Sequence, residues 1–227
     1  MSVWTRIGDA INALLDGEPL SAVFEKLSTP PEQSVGFTIA VIALGAKMAK
    51  ADGQVTRDEV TAFRKIFTIP TGEEAHAARI FNLARQDVAG FEGYARQVAR
   101  MFRNRPEVLA DLLEGLVYIA MADGTYHPGE DAYLREVKRI FGIGDAEFRS
   151  ILARHRTDES DPYAVLGVDP AISDADLRRH WRQLVRDLHP DQMIARGVPE
   201  EARALAEQRL AAVNAAYEKI EAERAGG

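Results

Sequence analysis

The sequence contains no cysteine. That absence excludes disulfides, thiolate metal sites and cysteine nucleophiles together, and it fits a reducing cytoplasm. A basic excess is also lacking: 28 Lys and Arg stand against 35 Asp and Glu, for a net charge of −7. Nucleic acid and anionic membrane favour basic surfaces, so neither is expected as a partner. The most apolar run, residues 35–46, falls short of the ~20 apolar residues that cross a bilayer. It reads as a buried core helix, and no membrane span is expected. The first 16 residues are not a signal peptide, because Arg6 and Asp9 interrupt their apolar pattern. No stretch alternates polar and apolar residues between hairpin turns, so strands are not expected.

What is present repeats with the helical period. Trp4, Ile7, Ile11, Leu14 and Leu15 form one apolar row, with Gly17 as a C-cap. Thr56 to Glu59 and Thr71 to Glu74 match the capping-box pattern, and helices are expected to start after Thr56 and Thr71. Pro106 and Pro128 suit a first helical turn. The chain reads as all-α.

Two shifts in composition divide it. Ser28-Thr29-Pro30-Pro31 sets off a short N-terminal helical pair, ending at about residue 31. The polar run from His155 to Pro162 marks a boundary between residues 1–156 and 157–227. The first part holds 19 basic and 21 acidic residues and the second 9 and 14, so any cationic site must be local. A weak repeat lies within the first part. Ala51-Asp52-Gly53, then Glu59 and Phe67, is echoed by Ala122-Asp123-Gly124, then Glu130 and Phe141. An apolar helix precedes each copy, which suggests two related halves.

The strongest signal is His189-Pro190-Asp191 in its context. On a wheel of ~100° per residue, Leu177, Trp181, Leu184, Val185 and Leu188 share one arc. Arg178, Arg179, Arg182 and Arg186 fill the next. Ser173 is a natural N-cap, with Asp174 and Asp176 at the positive end of the dipole. Pro190 disfavours helical geometry at His189 and stiffens the turn. Past Arg196-Gly197-Val198-Pro199 a second long helix is expected from near Glu200, with Ala202, Ala206, Leu210, Val213, Tyr217 and Ile220 on its apolar face. The two long helices should pack as an antiparallel hairpin, with Tyr163 and Leu166 of a short first helix beneath it.

Residues 161–221 resemble the J domain of the DnaJ family. The opening DPYAVLGV, the helix ending in His189-Pro190-Asp191, and Asn214-Ala215-Ala216-Tyr217 carry the likeness. Residues 194–200 resemble the DjlA branch, and the Ala-Asp-Gly repeat resembles the TerB-like helical domain that precedes the J domain in DjlA-type proteins. DjlA-type proteins are anchored by an N-terminal membrane helix, and none is expected here. The resemblance implies a TerB-like helical bundle followed by a J domain. It also implies a co-chaperone: His189, Pro190, Asp191, Arg178, Arg179, Arg182 and Arg186 would dock on a DnaK-type chaperone, stimulate its ATP hydrolysis and favour capture of client proteins, which the sequence does not identify. There is no Gly/Phe-rich segment and no zinc-binding cysteine region. Departures from the family pattern are His180 for alanine, Trp181 for tyrosine, Gln183 and Asp187 where lysines are common, Leu188 for an aromatic residue, and Gln192 for lysine.

Other readings are weighed beside this one. His189 and Asp191 have no nucleophile or oxyanion motif with them, so the chain is not expected to be an enzyme. Asp52, Glu59, Asp123, Glu130 and Asp131 could converge on a hard divalent cation. The simpler reading is that Gly53 and Gly124 are left-handed C-caps and the acids serve local backbone donors. On that reading no metal and no cofactor is expected. The alternative function is a metal- or stress-responsive TerB-like interaction protein with a degenerate J domain.

Overall fold

Proline and glycine fix where the helices start and stop. In the computed structural model, residues 6–7, 33–51, 61, 64, 69, 72, 74–75, 77–79, 82, 90–122, 124–156 and 161–225 are described. Helix α1 (Gln33–Ala51) is buried along residues 35–48, as its continuous apolar run demands. Around it pack α2 (Phe91–Met101), α3 (Pro106–Ala120) and α4 (Pro128–Phe141). Pro106 and Pro128 occupy the first helical turns, where a missing N–H costs nothing. Tyr133 of α4 donates its hydroxyl to the Leu44 carbonyl of α1 at 2.8 Å, so a buried phenol is satisfied. Helix α4 stops at Gly142 (φ 73°), whose neighbour Ile143 bonds back to Lys138. Helix α5 (Asp145–His155) follows.

The C-terminal part begins with the five-residue α6 (Pro162–Leu166). Asp161 caps it by accepting from the Tyr163 amide, and Gly167 (φ 70°) ends it. Helix α7 (Asp174–Asp187), a short α8 (Pro190–Ala195), a 3-10 turn at residues 200–202 and α9 (Arg203–Ala225) complete the described chain. Helices α7 and α9 form the expected hairpin. Trp181 and Tyr217 stack across it at 4.3 Å, and Trp181 donates its indole N–H to Asn214 at 3.0 Å. Tyr163 and Leu166 pack beneath, as expected. All described elements are helical, and the fold is all-α.

One feature differs from the sequence reading. The connection after His189 is not a plain loop: Pro190 ends one helix and occupies the first turn of the next, α8.

Two apolar cores hold the molecule. The larger runs from Ile7 through α1 to α5 and on to Met193, Val198, Ala202, Leu205 and Ala206. The smaller joins Ala153 of α5 to Val165, Leu166, Leu177, Val213, Tyr217 and Ile220. Both therefore cross residues 157–160, which lie outside the described residues, as do most of the N-terminal helical pair, Thr56, Thr71 and the first Asp-Gly turn. The apolar helices preceding the two Asp-Gly turns, α1 and α3, pack directly on one another. No described helix is long and apolar enough to cross a membrane.

Candidate docking site

Helix α7 begins where Ser173 accepts the Asp176 amide at 3.2 Å. The Ser173 hydroxyl in turn donates to the Asp176 carboxylate. That hydrogen bond, with Arg179 beside it, holds Asp176 below its usual range. Leu177 is buried, while Trp181, Leu184, Val185 and Leu188 are half-buried against the smaller core. The opposite side is exposed and carries the four arginines.

These arginines are not equivalent. Arg178 leans onto α9, with its guanidinium 3.4 Å from both the Tyr217 hydroxyl and Glu221. Arg179 pairs with Asp176 at 2.6 Å. Arg182 donates to the Arg178 carbonyl, and Arg186 donates to the Gln183 side chain. Among the described residues, neither Arg182 nor Arg186 has a carboxylate partner.

At the end of α7, His189 has extended backbone geometry (ψ 137°), as a residue before proline should. It caps α8: its Nδ1 accepts the Asp191 amide at 3.2 Å. A ring accepting at Nδ1 carries its proton on Nε2 when neutral, so Nε2 keeps a donor. Pro190 is buried, and it plugs the turn into the fold. The Asp191 side chain is 70% exposed, with His189 Nδ1 at 3.7 Å and Arg203 at 3.8 Å from its oxygens. An exposed pair that long contributes little. The Asp191 carboxylate is thus exposed and held only loosely by its neighbours.

Four of the positions that depart from the J-domain pattern, His180, Trp181, Gln183 and Asp187, make internal bonds. His180 donates Nε2–H to the Leu166 carbonyl at 2.8 Å, tying α7 to α6. Gln183 donates to the Asp187 carboxylate at 2.9 Å.

The inner side of the hairpin holds a cluster that sequence reasoning missed. Arg209 of α9, 1% exposed, meets Asp111 and Glu114 of α3. Its Nη1 donates to Asp111 Oδ1 at 2.6 Å. Its Nε lies 2.8 Å from Glu114 Oε2 but off the N–H axis, so this contact is an ion pair and not a directed hydrogen bond. Arg154 of α5 grips Glu114 with two bonds of 2.8 Å, and His155 reaches it at 2.9 Å. Arg154 also donates to Ser150, whose hydroxyl donates to the Val165 carbonyl. Burial pushes Glu114 upward, but Arg154 and Arg209 overcome this and hold it well below the usual carboxylate range. The signal was present in the sequence: past Glu107, Asp111 and Glu114 sit three apart as the only charged residues of an apolar helix, and Arg209 shares a row with Ala202, Ala206 and Val213. Beside the cluster, an open cleft of about 680 Å³ separates Leu184 and Leu188 of α7 from Glu107, Ala110 and Glu147.

Of the acidic residues near the Asp-Gly turns, Glu130 accepts the His127 amide at 3.0 Å, and Asp131 takes Arg135 at 2.6 Å and the Tyr126 hydroxyl. Gly124 has the expected positive φ of 82°. Asp52, Gly53, Glu59 and Asp123 lie outside the described residues. Among the described residues no group of three or more His, Asp or Glu is placed to hold a metal ion.

Comparison with known proteins places these features in a context. Residues 38–153 match the family model of the tellurite resistance protein TerB, and residues 161–225 match the DnaJ domain. The co-chaperone protein DjlA of Photobacterium profundum is 26% identical over 220 residues, covering 85% of this chain and 79% of that protein. DjlA of Shewanella oneidensis is 23% identical over 208 residues, with the same shares covered. DjlA of Escherichia coli K12 is 23% identical over 220 residues, covering 85% and 81%. No solved structure matches the chain.

Proposed function

Because the chain belongs to the TerB family and carries a DnaJ domain behind that part, the order resembling the DjlA co-chaperones, we propose that it is a co-chaperone of a DnaK-type chaperone. It docks through His189, Pro190 and Asp191 together with Arg178, Arg179, Arg182 and Arg186, and it stimulates the partner's ATP hydrolysis and client capture. The chain is then not itself an enzyme, and its place is the cytoplasm. The observation that carries the reading is the juxtaposition at the end of α7. An exposed carboxylate on Asp191 and a donor on His189 follow a helix on which Arg182 and Arg186 have no carboxylate partner among the described residues.

Each group has a task in that reading. Arg182 and Arg186 attract an acidic surface on the chaperone, which speeds association and makes it sensitive to salt. Pro190 fixes the turn so that little ordering is left to be done on binding. Asp191 then meets a cation of the partner, and docking selects the chaperone state that hydrolyses ATP. Residues 1–156 and 157–227 form the two functional parts.

Single-turnover ATP hydrolysis by the cognate DnaK-type chaperone tests this. The intact chain should accelerate hydrolysis, and His189→Gln should not, although it stays folded. If neither accelerates hydrolysis at saturating concentration, the co-chaperone reading is wrong.

A further inference from the structure

The His189-Pro190-Asp191 turn is held from both sides by side chains that lead into the TerB-like part. Just beyond the turn, Arg196 donates Nη2–H to the Asp187 carbonyl at 2.5 Å and Nε–H to the Gln192 carbonyl at 3.2 Å. One guanidinium thereby fastens the end of α7 to α8. The carbonyl of Arg196 itself accepts from Nη1 of Arg105, the residue that opens α3, at 2.9 Å. On the inner side Arg209 donates to Met193 Sδ at 3.3 Å while its charge is anchored on Asp111 and Glu114. Met193 and Val198 are buried in the larger core, among α1 to α5. Met193 also bonds back through its amide to the His189 carbonyl at 3.2 Å.

A helix of six residues does not stand alone in water, because its few hydrogen bonds do not offset the cost of nucleation. The geometry of α8, and of the turn it begins with, must be supplied by tertiary contacts. Helices α7 and α9 supply part of those contacts, and the rest include the Arg105 bond, the Arg209 bond to Met193 and the burial of Met193 and Val198 in the larger core. We propose that the TerB-like part is a positioning element for the docking turn, with Arg105 and Arg209 as positioning residues that act on His189 and Asp191 through Arg196 and Met193. The proposal deepens the co-chaperone reading and rests on it for its functional consequence. Loosening either anchor lowers the fraction of molecules with the turn in its docking geometry. The apparent affinity for the chaperone falls by that fraction, while the maximal stimulation stays.

The test uses the full chain with Arg105→Met, Arg105→Lys and Asp111→Asn. Arg105 is only half-buried, so its variants are expected to stay folded. Arg105→Met should speed amide exchange over residues 191–198 by about threefold to tenfold, the worth of one hydrogen bond. Exchange over residues 213–220 should not change. The concentration for half-maximal stimulation should rise by a similar factor at unchanged maximum, and Arg105→Lys, which keeps a donor, should restore most of both. Asp111→Asn loosens the inner anchor and should speed the same amides. Unchanged exchange at 191–198 in both Arg105→Met and Asp111→Asn would overturn the proposal, as would a rise spread equally over residues 213–220. If the unaltered chain gives no stimulation, the co-chaperone reading fails, and the exchange pattern still decides the positioning.

Discussion

The hairpin of α7 and α9 has two faces, and both carry arginine. On the inner face Arg209 is buried between two carboxylates of another helix, with sulfur as a further acceptor. On the outer face Arg182 and Arg186 reach only a carbonyl and an amide oxygen. The same residue type thus holds the molecule together on one side, while on the other Arg182 and Arg186 have no counter-ion among the described residues. The physics separates the two cases. A guanidinium out of water must be neutralised where it sits, whereas one in water can wait for a partner at almost no cost. Exposed cations without a carboxylate partner among the described residues, on the helix that leads to the exposed Asp191 carboxylate, are what the proposed docking rests on.

The comparison can be broken most severely from the inside. Arg209→Met should cost about 3–5 kcal/mol of stability, since it strands Asp111 and part of Glu114 as buried charges. A thermal melt reads this, and a loss no larger than that of a surface substitution would mean that the cluster is not buried in solution. Acid attacks the same place more gently. The folded state holds Glu114 well below its ordinary value of 4.5, so its contribution is complete above that value and is lost as pH falls further below it. The melting temperature should therefore drop on acidification below about that pH. Glu114→Gln should flatten this part of the profile while lowering stability at neutral pH. The outer face should give the smallest effect on stability and a clear effect on docking. Arg182→Ala with Arg186→Ala should change unfolding by about 0.5 kcal/mol or less. The same pair should raise the half-maximal concentration for stimulation roughly tenfold at low salt, and less as salt is added.

Much of this was legible in the sequence, because it rests on local rules. Ser173 caps α7, Pro106 and Pro128 open their helices, and the apolar rows of α7 and α9 face each other as their spacing requires. The exposed turn at His189 to Asp191 was also readable, since proline after histidine forces the chain out of the helix. Helix α8 escaped because Pro190 has two effects: it ends one helix and suits the first turn of another. The inner cluster escaped for a different reason. Asp111 and Arg209 are 98 positions apart, and no local pattern pairs residues at that distance. The two departures at His180 and Gln183 read as lost features of a family pattern, yet each carries a hydrogen bond: Gln183 to Asp187 one helical turn on, and His180 to a Leu166 carbonyl that only the packing brings close.

The most direct measurement is an amide-exchange footprint of the full chain with the ATP-bound DnaK-type chaperone. Protection is expected along residues 178–192, around Arg182, Arg186 and the His189-Pro190-Asp191 turn, with residues 108–118 of α3 unaltered. Protection centred on α3 or elsewhere in the TerB-like part, with the turn unaffected, would contradict the division between a docking face and a holding face.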